Sequence, residues 1–315
     1  MKAAVVTAAG AVPQYQDFAE PEAGPGLQLV ELVATAIHPV VRAKADGVHY
    51  SSTDQYPMIP GVDAVARTED GTLVYTGEAQ APWGTFAERM VVPMTAPLPE
   101  GADPLVVAAA MNPGMSSWMP LTAHADERGV PDTVLILGPT GAAGGLAVQN
   151  ALALGAGRVI GVGRGAAGLA RVAGLGAETV ELTGERDPDA RAIAAALDGV
   201  TPSLVLDYLW GTPAESAFQA LHELPGTEPT DYVEIGSVAG EHAAVPAALL
   251  RSRPLRLSGS GIGSFDMHRY LIQGQAYLQV IADGKITVET APHPLAQCTR
   301  AWTTKAGPRP VLTAE

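Results

Sequence analysis

A glycine-rich segment near the middle of the chain constrains the fold most strongly. Apolar residues 134–137 lead into Gly138-Pro-Thr-Gly-Ala-Ala-Gly144, and an apolar stretch with helical character continues to about Leu154. A buried strand, a glycine-rich turn and a helix in this order are typical of a dinucleotide-binding βα unit. The first glycine permits the turn, the second lets the backbone approach a pyrophosphate, and the third lets helix and strand pack closely. The helix N-terminus favours a phosphate there.

The spacing of these glycines is GxxGxxG, which is a weak signal by itself in a chain with 35 glycines. The pattern that follows strengthens the prediction, because strand-like and helical segments alternate as in a doubly wound parallel sheet. The predicted strands are 133–137, 158–162, 179–182, 203–208, 231–235 and 255–258. The clearest predicted helices between the strands are 187–197 and 213–224, and a longer helix is predicted over 267–282, after the last strand. We therefore predict an α/β fold for this part of the chain.

The residues after the second predicted strand indicate the cofactor. NAD sites of this type usually carry an acidic residue there, which binds the ribose 2′-hydroxyl. The sequence has no Asp or Glu between Asp132 and Glu178, whereas Arg164 follows the strand and Arg171 lies two helical turns further on. Because a planar guanidinium can bind two phosphate oxygens, this favours a 2′-phosphate and hence NADPH. The alternative is that Arg164 is a solvated turn residue.

Residues outside this region predict a second domain. The first 112 residues contain strand-like runs separated by turns with proline and glycine, at 2–7, 27–36, 64–68, 72–75 and 86–93. Helices are predicted over 104–111 and from 115 to about 128, with a break at Asn112-Pro113-Gly114. The tail from residue 285 returns to strand, helix and strand. We predict a β-rich domain of 1–112 with 284–315, and a nucleotide-binding domain of 113–283.

Charge and composition exclude several classes of partner. A net charge of −14 argues against nucleic acid. The longest apolar runs are too short to span a bilayer, so we expect no membrane insertion. The single cysteine, Cys298, excludes an internal disulfide framework and suits a reducing cytoplasm. These features predict a cytoplasmic protein that acts on a small molecule.

Several motifs together resemble the medium-chain dehydrogenase/reductases, and within them the zinc-free, NADPH-dependent quinone oxidoreductase-like members. The resemblance covers nearly the whole chain. The residues that carry it are the MKAAVV start, Pro60-Gly-Val-Asp63, Trp83-Gly-Thr-Phe-Ala-Glu88, Pro97-Leu-Pro-Glu100, the LGPTGAAGGLAVQ turn, Leu175-Gly-Ala177, Leu206-Asp-Tyr-Leu-Trp-Gly211 and Ile235-Gly236. It implies a Rossmann doubly wound parallel six-stranded sheet plus a β-rich GroES-like catalytic domain formed from both chain ends. It also implies a homodimer joined through the edge strand 255–260.

Departures from the zinc-dependent members of this family argue against a metal. Their catalytic zinc needs Cys, His and a Glu or second Cys, and their structural zinc needs four cysteines. Here His38 stands at the first catalytic position, Val62 at the second cannot coordinate, and the chain has one cysteine. We therefore expect no metal site, and we expect His38 to be a core histidine.

Without zinc, such a reductase relies on hydride delivery and a hydrogen-bond or proton donor. The resemblance implies a tyrosine in a glycine-containing loop ahead of the Pro-Gly segment, where Gly47-Val-His-Tyr50 stands. A tyrosine hydroxyl is protonated at neutral pH and can stabilise a developing enolate. Tyr50 is the first catalytic candidate, with a loop aromatic that shields the cleft as an equal alternative. His49 is the second candidate.

The resemblance also implies the cofactor contacts. Asn112, at the hinge between the domains, would approach the nicotinamide; the alternative is that it caps a helix C-terminus. The implied cofactor-binding residues are Asn112, Gly138, Thr140, Gly141, Ala142, Ala143, Gly144, Gly163, Arg164, Leu209, Trp210, Gly211, Ile235, Gly236, Ser237, Ser260 and Gly261. Core packing is the alternative for Trp210. For Asp207 and Tyr208 the alternative is that they are strand-end packing and turn residues.

The implied function is hydride transfer from NADPH to a quinone or an α,β-unsaturated carbonyl compound, with Tyr50, His49 and Asn112 as catalytic candidates. An enoyl thioester reductase is an alternative within the same class, although the charge of −14 gives little support for a basic groove. A non-catalytic NADPH-binding redox sensor is an alternative outside the enzymes, because one fold hosts many functions.

Overall fold

A computed structural model describes residues 1–53, 55–77, 79–304 and 307–314, which fold into two compact units. Unit 1 comprises Met1–Asn112 and Leu278–Glu315, and unit 2 comprises Pro113–Tyr277. The strands are β1 (Lys2–Val5), β2 (Gln14–Asp17), β3 (Gln28–Ala36), β4 (Asp63–Arg67), β5 (Leu73–Gly77), β6 (Arg89–Val92), β7 (Thr95–Pro97), β8 (Thr133–Leu137), β9 (Arg158–Gly163), β10 (Glu178–Glu181), β11 (Leu204–Asp207), β12 (Thr230–Glu234), β13 (Leu255–Gly259), β14 (Thr290–Pro294) and β15 (Arg309–Thr313). The helices are α1 (Pro39–Ala45), α2 (Pro104–Arg128), α3 (Ala142–Leu154), α4 (Ala166–Gly174), α5 (Arg186–Leu197), α6 (Gly211–Glu223), α7 (Ala247–Ser252), α8 (Met267–Ala282) and α9 (Cys298–Thr303), with a 3-10 turn at Leu295–Gln297. The domain limits drawn from the sequence stay a prediction.

Unit 1 is built mainly of antiparallel strands. Its larger sheet has the order β14-β15-β3-β4-β5-β7, with β6 also paired with β3, and β1 and β2 form a separate pair. The last strand, β15, pairs with β3 and places Val311 opposite Ala36. The apolar core of this unit likewise includes Ala3 near the start of the chain and Leu312 near its end. The prediction of a β-rich unit made from both chain ends is confirmed.

Unit 2 contains the predicted six-stranded parallel sheet, with the order β10-β9-β8-β11-β12-β13. All five residues of β8 are buried, and alternate residues belong to two different apolar clusters, Leu135 to one and Ile136 to the other. A parallel strand that is covered on both faces is a continuous run of apolar residues in the sequence. This is why β8 could be predicted from the sequence. The chain moves from β8 to β9 on one side and later to β11 on the other. The carboxyl ends of strands at such a reversal of order form the usual ligand site of this fold.

The predicted break at Asn112-Pro113-Gly114 is wrong, because α2 continues through it. Pro113 removes one N–H from the hydrogen-bond ladder of the helix. Met111 and Met115 on either side of it are buried, so side-chain packing supports the helix at this point. The Ser116 hydroxyl donates to the Pro113 carbonyl at 2.6 Å. A second proline, Pro120, frees the carbonyl of Ser116 four residues earlier, and the Ser260 hydroxyl donates to that oxygen at 2.8 Å.

Three short elements of unit 1 lie outside the predicted set. Strand β2 is polar and exposed along its length, so it lacks the alternating pattern that marks a strand. Strand β7 has three residues and includes a proline. Helix α1 has seven residues, and the signal that could have located it is Pro39 at its first turn. Among the described residues, the helices lack a stretch both long and apolar enough to cross a lipid bilayer.

Candidate active site

The glycine-rich turn connects β8 to α3 in unit 2. Gly138 has φ +88°, a left-handed conformation that glycine adopts without strain, and its N–H donates to the Val162 carbonyl of β9 at 2.8 Å. A Cβ atom at Gly144 would overlap the carbonyl oxygen of Gly138. The third glycine of the motif therefore allows the first turn of α3 to pack directly on the turn, as the sequence pattern predicts.

The N-terminus of α3 offers unpaired backbone donors. Gly141 precedes the helix in an extended conformation, with no side chain that could cap it. Within the described part of the chain, the N–H groups of Ala142, Ala143 and Gly144 have no hydrogen-bond acceptor. These N–H groups and the positive end of the helix dipole of a 13-residue helix form an arrangement that binds a phosphate.

Three further glycines let the turn approach its neighbours. A Cβ atom at Gly161 would lie 2.9 Å from Pro139 Cγ, and one at Gly163 would lie 3.2 Å from Pro139 Cδ. A Cβ atom at Gly168, in the first turn of α4, would lie 2.9 Å from Thr140 Cγ2. Of these three glycines, only Gly163 was predicted from the sequence. The signal that could have identified Gly168 is a glycine close to the start of a helix that follows the nucleotide-binding strand.

Two arginines lie next to this turn. Arg164 directly follows β9 and is exposed, and no other described residue pairs with it. Arg171 in α4 is also exposed and donates to the Ala167 carbonyl at 3.3 Å. Its Nη2 atom lies 3.7 Å from the Cβ position of Gly168, the residue packed on Thr140. Neither guanidinium pairs with a carboxylate of the described chain, so both can bind an anion.

The structure brings most of the predicted cofactor residues to one edge of the parallel sheet. They follow the carboxyl ends of β8, β9, β11, β12 and β13 within unit 2. The residues at this edge are Gly138, Thr140, Gly141, Ala142, Ala143, Gly144, Gly163, Arg164, Leu209, Trp210, Gly211, Ile235, Gly236, Ser237, Ser260 and Gly261. The hydroxyl of Ser260 is already engaged by the Ser116 carbonyl. Asn112 lies inside α2 and is half-buried, so the interpretation as a helix C-cap is wrong.

The loop after β11 has an unusual backbone. Trp210 has φ 54° and ψ −162°, which is rare for a residue with a side chain, and Gly211 has φ +58°. The indole of Trp210 packs edge-on against Phe218, with ring centroids 5.9 Å apart. Asp207, at the end of β11, accepts hydrogen bonds from the N–H groups of Leu209 and Trp210. From the sequence, Asp207 was predicted only as a strand-end packing or turn residue.

Two of the three catalytic candidates, His49 and Tyr50, are neighbours in a loop of unit 1 after α1. Tyr50 is 79% exposed, and its ring centroid lies 4.2 Å from that of His49. His49 Nδ1 lies 2.9 Å from the Ser51 hydroxyl oxygen. Partial burial and the nearby charge of Lys44 lower the pKa of His49, so its ring is neutral at pH 7. A neutral imidazole can still donate one hydrogen bond.

His38 and Asp63 form a buried pair in the core of unit 1. His38 Nε2 lies 3.2 Å from the Ala108 carbonyl oxygen and 3.6 Å from Asp63 Oδ1. Burial, with the charge of Arg309, lowers the pKa of His38 to about 3. Burial raises the pKa of Asp63 to about 7, against the opposing effect of a hydrogen bond from Tyr75. Between these values both groups are neutral, so the pair is not an ion pair.

The described residues hold no group of three or more His, Cys, Asp or Glu side chains that could bind a metal ion. Asp63 follows Val62, and a valine offers no donor atom to a metal. The buried His38–Asp63 pair has two potential ligands, which is too few for the closed or open tetrahedral sites of zinc proteins.

Known proteins resemble this chain over nearly its whole length. No protein-family model matches the chain. A protein of Emericella nidulans, named as a probable NADPH-dependent quinone reductase, is 30% identical over 346 aligned positions that span 96% of each chain. The quinone oxidoreductase of Thermus thermophilus, solved also in complex with NADPH, is 25% identical with a TM-score of 0.80, covering 99% of this chain and 100% of that chain. A mycobacterial quinone oxidoreductase is 21% identical with a TM-score of 0.83, covering 99% of each chain.

The parallel sheet, its phosphate-binding turn and the separate β-rich unit define a dinucleotide-binding oxidoreductase architecture. The chain belongs to the quinone oxidoreductase-like family of the medium-chain dehydrogenase/reductases.

Proposed function

We propose that this protein is an NADPH-dependent quinone oxidoreductase that works without zinc. The observation that carries the proposal is a set of three N–H groups at the start of α3 that are unpaired within the described chain. They lie where α3 packs on the glycine-rich turn, a contact that leaves no room for a Cβ atom at position 144. The exposed Arg164 follows the neighbouring strand. Membership of the quinone oxidoreductase-like family supports the same activity.

The residues of unit 2 fit this cofactor. The N–H groups of Ala142, Ala143 and Gly144 would hold the pyrophosphate, and Arg164 would hold the 2′-phosphate. The carboxamide of the half-buried Asn112 would contact the nicotinamide end. When bound, NADPH supplies a hydride, which carries two electrons. An acidic residue beside the ribose would favour NADH, and the sequence from 133 to 177 contains none.

The substrate class follows from hydride chemistry. A quinone accepts hydride at an oxygen or ring carbon, and an α,β-unsaturated carbonyl compound accepts it at the β-carbon. Both leave an oxyanion that then takes a proton. The Tyr50 hydroxyl can donate a hydrogen bond or proton to that oxygen, and neutral His49 is the second candidate. The proposal excludes a metal because Val62 stands where zinc members have a ligand.

We propose a homodimer formed through β13, at an edge of the parallel sheet. Its residues are exposed from Arg256 to Gly259, and an uncovered strand edge can pair with a second copy. We also propose a cytoplasmic location, which the single, buried Cys298 supports because a reducing compartment leaves thiols unpaired.

The test is a titration of the pure protein with NADPH and NADH, followed by turnover in the presence of a metal chelator. The substrate panel is 1,4-benzoquinone, methyl vinyl ketone and crotonyl-coenzyme A. We expect preferential NADPH binding and turnover of the quinone or the enone. Turnover of the thioester alone would identify an enoyl reductase, binding without turnover would identify a sensor, and binding of neither nucleotide would reject the proposal.

A second arm tests the proton donor. We expect Tyr50→Phe to lower kcat by roughly tenfold to a hundredfold and to leave the Kd for NADPH unchanged. Tyr15→Phe, at another exposed tyrosine of unit 1, is the matched control. An unchanged kcat in Tyr50→Phe, with a decrease in His49→Gln, would transfer the role to His49.

A further inference from the structure

The carboxylate of Asp207 is fully buried at the end of β11 and makes three hydrogen bonds. Its Oδ1 atom accepts the N–H of Leu209 at 2.8 Å and the N–H of Trp210 at 3.0 Å. Its Oδ2 atom accepts the hydroxyl of Tyr232 at 2.7 Å. Tyr232 lies in β12 and is itself fully buried, so the carboxylate is held from the side of the neighbouring strand.

The segment that Asp207 holds needs external support. Trp210 occupies a left-handed backbone region that costs free energy for any residue with a Cβ atom. The next residue, Gly211, also has a positive φ, and a Cβ atom there would lie 3.0 Å from the Ala239 carbonyl oxygen. Such a conformation persists only where surrounding bonds over-determine it. The two bonds to Asp207 Oδ1 supply that constraint.

Asp207 and its loop also connect three strand ends. The Asp207 carbonyl accepts the N–H groups of Ile235 at 2.7 Å and Gly236 at 3.2 Å, both after β12. The Leu209 carbonyl accepts the N–H of Ala239 at 2.7 Å. The Leu209 side chain lies 3.0 Å from the Cβ position of Gly138, the first glycine of the turn after β8. The loops after β8, β11 and β12 are therefore joined through the backbone of 207–209 and the Leu209 side chain, and the Asp207 carboxylate holds the Leu209 end of that backbone.

We propose that Asp207 is a positioning residue, which holds the loops at the carboxyl ends of β8, β11 and β12 in the shape that binds NADPH. It acts through the backbone of 209–211 and contacts neither the cofactor nor the reacting atoms. This inference rests on the proposed function. Burial raises the pKa of Asp207, and three hydrogen-bond donors act against that rise. Asp207→Asn keeps an acceptor oxygen of the same shape without the charge, so it separates the effect of the acceptor from the effect of the charge.

The test compares Asp207→Ala, Asp207→Asn and the wild type by two readouts. One is the Kd for NADPH, and the other is the exchange rate of the Leu209 and Trp210 amide hydrogens without cofactor. We expect Asp207→Ala to raise the Kd about tenfold and to speed exchange of both amides, because two buried donors lose their acceptor. We expect Asp207→Asn to keep the Kd and the exchange rates close to those of the wild type. Its amide oxygen can accept both backbone N–H groups, and its amide nitrogen can donate to the Tyr232 hydroxyl oxygen.

Asp189→Ala is the matched control. Asp189 is another buried aspartate of unit 2, and it holds the turn after β10 by accepting the N–H groups of Thr183 at 2.7 Å and Gly184 at 3.1 Å. That turn contains no predicted cofactor residue. We expect Asp189→Ala to lower stability while leaving the Kd for NADPH within about threefold of the wild type.

The outcomes separate the inference from the proposed function. A wild type that binds no NADPH rejects the proposed function. A wild type that binds NADPH, with a folded Asp207→Ala that binds it equally well, overturns the role of Asp207. An Asp207→Asn as impaired as Asp207→Ala also overturns it. If Asp207→Ala does not fold, rapid exchange of the Leu209 and Trp210 amides in the wild type would contradict the proposal.

Discussion

At the scale of single residues, burial decides which side chains keep their charge. His38 and Asp63 have the residue types of an acid–base or metal site, yet burial holds both neutral between about pH 3 and about pH 7. Arg164 and Tyr50, by contrast, are exposed. The groups available for binding and catalysis are therefore those that the fold leaves in contact with solvent.

The exposure of Arg164 leads to a prediction about cofactor choice. We expect Arg164→Ala to raise the Kd for NADPH by about tenfold to a hundredfold, because a charge-assisted pair with the 2′-phosphate is lost. The Kd for NADH should not change, since that cofactor lacks the phosphate. Fluorescence titration with both nucleotides measures the effect. Arg191→Ala, at an exposed arginine of α5, is the control, and an equal loss for both nucleotides would contradict the assignment.

The buried Asp63 leads to a prediction about pH. Its pKa is raised from 3.8 to about 7, so the folded state holds this proton more tightly than the unfolded chain does. Its stabilising contribution is complete below about pH 4 and is lost as the pH rises through about 7. Asp63→Asn cannot ionise, so we expect its free energy of unfolding relative to the wild type to increase by about 2–4 kcal/mol between about pH 4.5 and pH 8.

Urea denaturation of both proteins at the two pH values measures this difference. The lowered pKa of His38 has the opposite effect on stability. The stabilising contribution of His38 is complete above its ordinary pKa of 6.5 and is lost as the pH falls toward about 3. His38 is present in both proteins, so its contribution largely cancels in the comparison. A difference that is the same at both pH values would show that Asp63 does not ionise across this range.

At the scale of secondary-structure elements, the close packing of backbone on backbone shapes the nucleotide site. Gly144 brings α3 onto the turn, and Gly168 brings the start of α4 onto Thr140. Helix α2 follows a different rule, since it continues through two prolines. The Ser260 hydroxyl donates to the Ser116 carbonyl that Pro120 leaves without its helical donor, and the Ser116 hydroxyl donates to the carbonyl of Pro113 itself.

Two adjacent glycines of α3 allow a matched test of this packing. A Cβ atom at Gly144 would overlap the Gly138 carbonyl oxygen, whereas one at Gly145 would lie 3.6 Å from the nearest atom, an ordinary contact. We expect Gly144→Ala to destabilise the protein by about 2 kcal/mol or more and to weaken NADPH binding. Gly145→Ala should be neutral or stabilising by up to about 1 kcal/mol, because alanine favours a helix. Thermal unfolding and NADPH titration of both variants measure the contrast, and equal behaviour would contradict the role of Gly144.

At the scale of the whole molecule, the two units differ in how many segments of the chain form them. Unit 2 is one continuous segment, and unit 1 combines both chain ends through the pairing of β15 with β3. The parallel sheet of unit 2 ends at β13, whose outer edge pairs with no other strand of the described chain. Leu257 in this strand is an exposed apolar residue. Such an edge requires either protection or a partner.

The dimer proposal predicts a change in mass. We expect the wild type to sediment as a dimer, and Leu257→Lys to shift it toward monomer at the same concentration, because it places a charge on the strand edge that each copy would bury. Leu29→Lys, at an exposed leucine of β3 in unit 1, is the control. Analytical ultracentrifugation measures both variants, and circular dichroism checks that they fold. A monomeric wild type would reject the dimer.

Patterns in the sequence were enough to predict the six parallel strands, the glycine-rich turn and a segment around Arg164, from 133 to 177, that has no acidic residue. These features are local: a buried strand is a run of apolar residues, and a turn that must accept positive φ requires glycine. The break predicted at Pro113 was wrong because it also rested on local sequence alone. A proline ends a helix only where no other contacts support the helix. The carbonyl that Pro120 frees is satisfied by Ser260, 144 residues after Ser116.

The roles of the buried polar residues became visible only in the folded chain. In the sequence, Asp207 has the pattern of a strand-end residue. In the fold, its carboxylate accepts hydrogen bonds from the Tyr232 hydroxyl of the next strand and from the backbone N–H of Trp210. His38 and Asp63 lie 25 positions apart and lose their charges because the core of unit 1 closes around both. Hydrogen-bond partners and local dielectric come from residues that are distant along the chain, so no pattern of neighbouring residues could specify them.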